Sequence, residues 1–435
     1  MPVLEDQNTF VSEFERSERD LSAIGPVALH RLREAAIQRF AALGFPTLED
    51  EDWRFTPLTQ LTQRAFKVAP KAAVDRAIIE HSTFADDGLF LVFVNGRFAP
   101  EQSSVQNLPG GVVATCLGEA FKNHRDKLEP HLAQYAEYQD QAFTALNTAF
   151  IQDGPFVFLP KNAVLDRPIH LIHVSAGGEA TVSYPRALLI AETNTQAKIV
   201  EAFVGQHEDV YFTNAVTEMV ALEGAIIEYV KLQRESERAF HVHTLQLQMA
   251  KSSNVKSHTV NFGGRLVRND VNAVLDGEGC ECTLNGLSIA TGEQHVDNHT
   301  RIDHAKPHCA SHELYKSILD GKAHGVFNGR IYVHPDAQRT DAKQTNQTLL
   351  LSESAIIDAM PQLEIFADDV KCTHGATVGQ LDAESIFYLR SRGIDQDEAR
   401  ALLTYAFAND IIGRISIETL RDGLEKLIIA TDEHR

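Results

Sequence analysis

The sequence predicts a mainly β protein with flanking helices: a right-handed parallel β-helix core between an N-terminal α/β domain and a C-terminal helical domain. Three observations carry this. Over residues 156–381 the apolar residues fall in short alternating or continuous runs separated by Gly, Asn, Asp and Ser, with no long helical period. Of the runs opening at Gly224, Asn254, Gly279, His308 and Ser354, the first four start about 25 to 30 residues apart, a solenoid spacing, and the last follows after a longer step. A flat sheet of that many strands would split or expose edges, whereas a stacked coil pairs nearly every backbone group with the turn above or below. A β-sandwich or double jelly roll is the competing architecture, and the strand pattern alone separates the two poorly.

Each element has its own signal. In residues 17–43 Leu21, Ile24, Ala28, Leu32, Ala35 and Ala36 recur at helical spacing, interrupted by Gly25-Pro26, and residues 117–150 read as a second helical stretch. Between them the apolar run 89–94 leads into Asn95-Gly96, a strand entering a hairpin turn. Residues 1–152 are therefore expected to form a mixed N-terminal domain, 153–381 the core and 382–435 a helical domain. In the last region Ala399, Leu402, Leu403, Ala406, Phe407 and Ile411 make one apolar stripe behind the candidate cap Asp395. Ile417, Leu420, Leu424, Leu427 and Ile428 make another behind Ser416. Periodicity alone suggests a cap on the solenoid end, or a surface for a partner.

Composition excludes several classes. With 60 acidic against 40 basic residues the formal charge is -20, which repels phosphate backbones and anionic lipid, so neither nucleic acid nor membrane is an expected partner. No apolar run approaches the roughly 20 residues of a membrane helix, and residues 1–20 are too polar for a secretory signal, so a cytoplasmic protein is expected. The five cysteines form neither an even disulfide framework nor a Cys-x-x-Cys knuckle, which fits free thiols. Phosphate-loop, nucleophile-elbow, His-Glu-x-x-His and dinucleotide signatures are all missing, and no enzymatic activity is expected.

The residues with chemistry are few. Cys372 and His374 lie two apart on a predicted strand, so sulfur and nitrogen face the same way and suit one metal centre. Taken alone, the doublet reads more simply as packing beside a satisfied imidazole. His295, His299, His304, His308 and His312 with Cys309 suggest zinc, but the His308/His312 spacing fits a helix better than a strand. Stacking between coils, or a subunit contact, explains them better. Cys280 and Cys282 also share a strand face, and core packing is the reading there. Asp297, Arg301, Asp303 and Arg330 are what a carbohydrate-active β-helix enzyme would need. An aromatic content of 8% with a single Trp supplies few sugar-stacking platforms, which weighs against that rival.

The doublet stands within Asp368-Asp369-Val370-Lys371-Cys372-Thr373-His374-Gly375-Ala376-Thr377. Upstream are Asp297-Asn298-His299-Thr300, Pro307-His308-Cys309-Ala310-Ser311-His312-Glu313-Leu314-Tyr315-Lys316 and Thr340-Asp341-Ala342-Lys343-Gln344-Thr345-Asn346; downstream is Phe387-Tyr388-Leu389-Arg390-Ser391-Arg392-Gly393-Ile394. In this order the segments resemble the SufB/SufD family, the non-ATPase subunits of the SUF iron–sulfur cluster assembly machine. Glu51-Asp52-Trp53-Arg54-Phe55-Thr56-Pro57-Leu58 and the length of 435 residues resemble the SufD branch more than the longer SufB.

The resemblance implies a β-helical core, which decides against the sandwich. It also implies a scaffold that assembles clusters in a SufBCD complex, pairing with SufB through the C-terminal edges of the two β-helices. The ATPase SufC would dock on the helical tail, where Leu403, Phe407 and Ile411 are the expected contacts. A transient cluster or iron would be shared with SufB at His374, with Cys372 nearby, and none held stably by this chain alone. Thr373 stands where Ser is also common in the family. A homodimer of the isolated chain and a purely structural scaffold without metal chemistry stay open as alternatives.

Overall fold

The computed structural model describes residues 3–433 apart from 23, 85–87 and 107. Two long sheets run through it. From Arg186–Ala191 onward each strand pairs in parallel with the strand two ahead, so the chain alternates between sheets as it coils. This is the parallel β-helix that the sequence predicts. The first sheet ends at Ile356–Ile365 and the second at Lys371–Gly379. Strands of the second sheet begin at residues 196, 226, 254, 281, 310, 341 and 371, steps of 27 to 31.

The period has a local cause. Two residues before six of these strands the backbone turns left-handed, at Asn194, Gly224, Ser252, Gly279, His308 and Arg339, with φ of 55 to 74°. Glycine takes this conformation without Cβ strain. At three of these corners the following residue ties the turn down with a hydroxyl: Thr195, Ser253 and Thr340 donate to the carbonyl three residues back, at 2.7 to 2.8 Å. Cys280 donates its thiol to Gly277 in the same way at 3.1 Å, so it is a corner fastener. Cys282 is buried in the apolar half of the interior with Leu284 and Tyr315.

A buried polar network joins the two sheets. Glu201 accepts from Tyr229 and Thr217 at 2.6 and 2.8 Å and contacts His173 at 2.9 Å. Lys231 of the second sheet donates to Asn269 of the first, which in turn donates to Asn298 on the next strand of that sheet at 2.9 Å. Each partner is satisfied only in one register, which makes such a network a specifier of register as well as a source of stability.

The N-terminal region is woven into this core. Leu89–Val94 adds to the second sheet beside Ile169–Ser175, and Val113–Cys116 extends the first sheet through Pro155–Leu159. The hairpin after Val94 forms as predicted, with Phe93 opposite Phe98 and left-handed Asn95 and Gly96. Helices Val3–Ser22, Val27–Leu43 and Ala142–Ala149 cover the outer face of the first sheet, where Phe10, Phe14, Phe40, Phe45, Trp53 and Phe143 meet Phe212 and Phe240. The expected helix over 117–150 is instead three short ones, Leu117–Asn123, Arg125–Leu128 and Ala142–Ala149. Pro130 interrupts the pattern. Glu218, ion-paired to Arg186 at 2.7 Å, then holds the connection by accepting from the amides of Ala133, Tyr135 and Ala136.

The C-terminal helices Gln396–Ile412, capped by Asp395, and Glu418–Glu433 begin as expected, and a third, Ala383–Ser391 capped by Asp382, precedes them. They do not cap the solenoid end. Ala408, Ile411, Ile412, Ile415, Leu420, Leu424 and Ile428 pack on Val200, Ala202, Val230, Leu232, Val260 and Leu287, the outward apolar residues of the second sheet. That face would otherwise lie bare, and covering it outweighs closing an end. Lys316–Asp410 at 2.8 Å and Ser416 on the Glu228 carboxylate fasten the edges of this contact. Among the described residues no helix is long and apolar enough to cross a membrane.

Candidate functional site

The open end of the solenoid is the candidate site. Strand Lys371–Gly379 is hydrogen-bonded on one side only, to Asp341–Leu350, and every one of its side chains except Cys372 is exposed. A nine-residue edge with free backbone groups is a template for another strand. Exposed apolar side chains stand at this end: Ile356, Phe366 and Val378 are each more than half exposed.

Register fixes the orientation of the doublet. Cys372 lies opposite Ala342 and His374 opposite Gln344, and both partners are buried, inward-facing residues of the preceding coil. Cys372 and His374 therefore share the inner face at the mouth of the coil, as the spacing predicts. Cys372 is half-buried against the small apolar cluster of Ile331, Val333, Ala337, Ala342 and Ala367, and burial pushes its thiol pKa up, so a metal would have to displace the proton. His374 is exposed. One coil further in, Gln344 donates to Glu313 at 2.7 Å, and burial raises that carboxyl to about 7. This inward column of Glu313, Gln344 and His374 was not singled out from sequence. Its signal was the register between coils, which becomes countable only once the corner residues are aligned.

The expected docking residues separate. Leu403 lines a shallow hollow with Phe387, Tyr388 and Leu389. Phe387 is 74% exposed, and Tyr388 and Leu402 are also exposed. Phe407 is half-buried on the second sheet, with the Lys316 ammonium 4.4 Å from its ring centre. Ile411 corrects the sequence reading: it is fully buried inside this chain, because the helix turns its 408, 411 and 412 positions inward. The large apolar side chains that helices Ala383–Ser391 and Gln396–Ile412 expose are instead Phe387, Tyr388 and Leu402, with half-buried Leu403 beside the first two.

The other candidates resolve into structure. Asp297 is sealed by Arg268 at 2.6 Å and His299 at 3.1 Å, with Thr56 also bonded to it. Arg301 pairs with Asp303 at 3.0 Å and Arg330 with Glu364 at 3.3 Å. Three of the four residues singled out for a carbohydrate-active enzyme, Arg301, Asp303 and Arg330, line one polar hollow together with Arg268, and each is engaged in an ion pair within this chain, which weighs against their serving as acid and base there. His295 meets Thr56 at 3.0 Å, His304 meets Ser311 at 2.9 Å, and His308 is a corner residue. Among the described residues these histidines do not bring three ligand atoms together.

A parallel β-helix with an open edge bearing a thiol and an imidazole, and with helices laid along one sheet, defines a scaffold class. Its family follows from comparison. The model for the SUF system FeS cluster assembly SufBD core domain matches residues 173–407, and that for the SufBD protein N-terminal region matches residues 4–171. The chain is 34% identical over 406 residues to an iron-sulfur cluster assembly SufBD family protein of Synechocystis sp., covering 91% of this chain and 89% of that protein. It is 32% identical over 398 residues to the iron-sulfur cluster assembly protein SufD of Escherichia coli, covering 91% and 90%. With the SufD of Bacillus subtilis it shares 27% over 331 residues, covering 75% and 74%. The chain belongs to the SufBD family of iron–sulfur cluster assembly proteins.

Proposed function

We propose that this chain is a SufD-type scaffold subunit without ATPase activity. It pairs through the strand Lys371–Gly379 with a SufB-type partner and contributes His374, with Cys372 beside it, to a cluster or iron shared across that junction. The observation that carries the reading is the placement of both side chains at the inner-face positions of an edge strand paired on one side only. A single chain offers one thiol and one imidazole there, whereas a cluster normally takes four ligands. Ligands split between two chains also let a rigid-body motion open the site for release. A cytoplasmic complex fits the acidic surface, which does not attract nucleic acid or anionic membrane.

The test is anaerobic reconstitution with iron and sulfide, followed by desalting and visible spectroscopy. The pure chain is expected to lose its chromophore, and the chain co-purified with its SufB and SufC relatives to keep it. A persistent chromophore with stoichiometric iron on the pure chain would overturn the shared site. A three-protein complex that forms but never holds iron would favour the purely structural scaffold.

The SufC-type ATPase docks, on this reading, on the hollow that exposed Phe387 and Tyr388 form with half-buried Leu403. Phe387→Glu is expected to weaken capture of SufC more than tenfold while circular dichroism stays unchanged, because the side chain is solvent-facing. Phe407→Glu, aimed at a half-buried ring, is expected to destabilise the chain itself by roughly 1–3 kcal/mol. Unimpaired capture by the Phe387 variant would place the docking surface elsewhere.

A further inference from the structure

We propose that Glu18, His30 and Glu34 form a binding site for a divalent transition-metal ion on the N-terminal helices, remote in sequence from the edge strand. Helices Val3–Ser22 and Val27–Leu43 are joined by a turn at left-handed Gly25, which folds the second back beside the first. His30 and Glu34 are four residues apart and so lie on one helix face. Glu18 reaches them from the last turns of the first helix.

The spacing is the argument. His30 Nε2 lies 3.9 Å from a Glu18 oxygen and 3.5 Å from a Glu34 oxygen, and the three ligand atoms all fall within 4.8 Å of one another. A direct N–H···O hydrogen bond would close to about 2.7–3.2 Å, so these groups face one another without bonding. Ligands held about 2.0–2.1 Å from a tetrahedral metal stand about 3.4 Å apart, so the His30–Glu34 pair at 3.5 Å already has that spacing and Glu18, at 3.9 Å from the ring, would draw in by a small side-chain movement. The other ring nitrogen, Nδ1, is buried without a hydrogen-bond partner among the described residues, so the polar company of the ring is all at the Nε2 end.

One imidazole nitrogen and two carboxylate oxygens suit Zn(II), Fe(II) or Co(II), and two carboxylates neutralise the ion. Three protein ligands leave a position open for water or an incoming group. The side chains of Glu18, His30 and Glu34 are 49%, 25% and 46% exposed, so an ion would exchange readily with solvent. While bound, it would pin the first helix to the second.

The test uses the full chain, stripped with chelator and titrated with Co(II) under visible spectroscopy, with Zn(II) as competitor. One equivalent is expected to give absorption typical of a low-coordinate site and to raise the melting temperature. Both effects are expected to survive in a Cys372→Ser/His374→Ala variant, which separates this site from the edge. Affinity is expected to fall more than about tenfold in His30→Ala. Glu34→Gln provides the same reading should His30→Ala fold poorly by circular dichroism. Co(II) binding that is absent, or unchanged in both folded variants, would overturn the site.

Discussion

Replacing His374 by alanine is expected to leave the chain folded and able to pair with its SufB-type partner, while cluster yield in the three-protein complex drops about tenfold. The side chain is exposed on an edge strand, and exposed substitutions away from special features stay within about 0.5 kcal/mol, which moves the melting temperature by only ~1–2 °C. What alanine removes is a ligand. His374→Cys separates ligation from simple bulk: a thiolate binds iron–sulfur clusters more firmly than imidazole, so yield should recover while transfer to an acceptor slows. Iron and sulfide per complex, melting temperature and transfer rate are the three measurements. Loss of solubility or of partner binding in His374→Ala would show a structural histidine, and an unchanged yield would remove His374 from the site.

The parts of the molecule that sequence made legible are those where the cause is local. Asn95-Gly96 dictates its own turn, Asp395 caps the helix that follows it, and the corner residues repeat within the coil they close. The Cys372/His374 geometry was legible for the same reason, since a strand's two-residue period sets it. Three features were hidden because their causes lie far along the chain. The helix over 117–150 breaks partly because Glu218, more than eighty residues on, takes the amides of Ala133, Tyr135 and Ala136. Helix Gln396–Ile412 carries apolar residues on two faces, and only the apolar outer strip of the second sheet decides that Ile411 turns inward while Leu402 stays out. Trp53 and Thr56, prominent in the sequence as a motif, gain their meaning from Arg268 and Asp297, more than two hundred residues later.

That last contact should be the costliest to break. Arg268 bonds Asp297 at 2.6 Å, Asp270 at 2.7 Å and the Asp52 carbonyl at 2.7 Å, and its guanidinium lies 4.3 Å from the centre of the Trp53 ring. Both Arg268 and Asp297 are buried, and removing one partner of a buried pair typically costs about 3–5 kcal/mol because the other charge is stranded. Arg268→Ala should therefore lose much of the roughly 5–15 kcal/mol that a domain has to spare, and loosen the N-terminal segment from the first sheet. The pH dependence gives the mechanism away. Burial pushes the Asp297 carboxyl up, but Arg268 and His299 outweigh it and hold it well below the usual carboxylate range. A carboxyl depressed in the folded state contributes stability that is present above pH ~4 and lost as pH falls below it. In Arg268→Ala the guanidinium is gone and burial prevails, so Asp297 takes up a proton in the folded state at higher pH than when unfolded. The deficit relative to the parent chain should therefore be largest near pH 7.5 and shrink toward pH 5. Arg268→Met/Asp297→Asn, which removes both charges, should recover more than half of it at pH 7.5. Urea unfolding at the two pH values measures all three chains. A deficit below 1 kcal/mol, or one that does not change with pH, would show that the pair neither anchors the N-terminal segment nor strands a charge when broken.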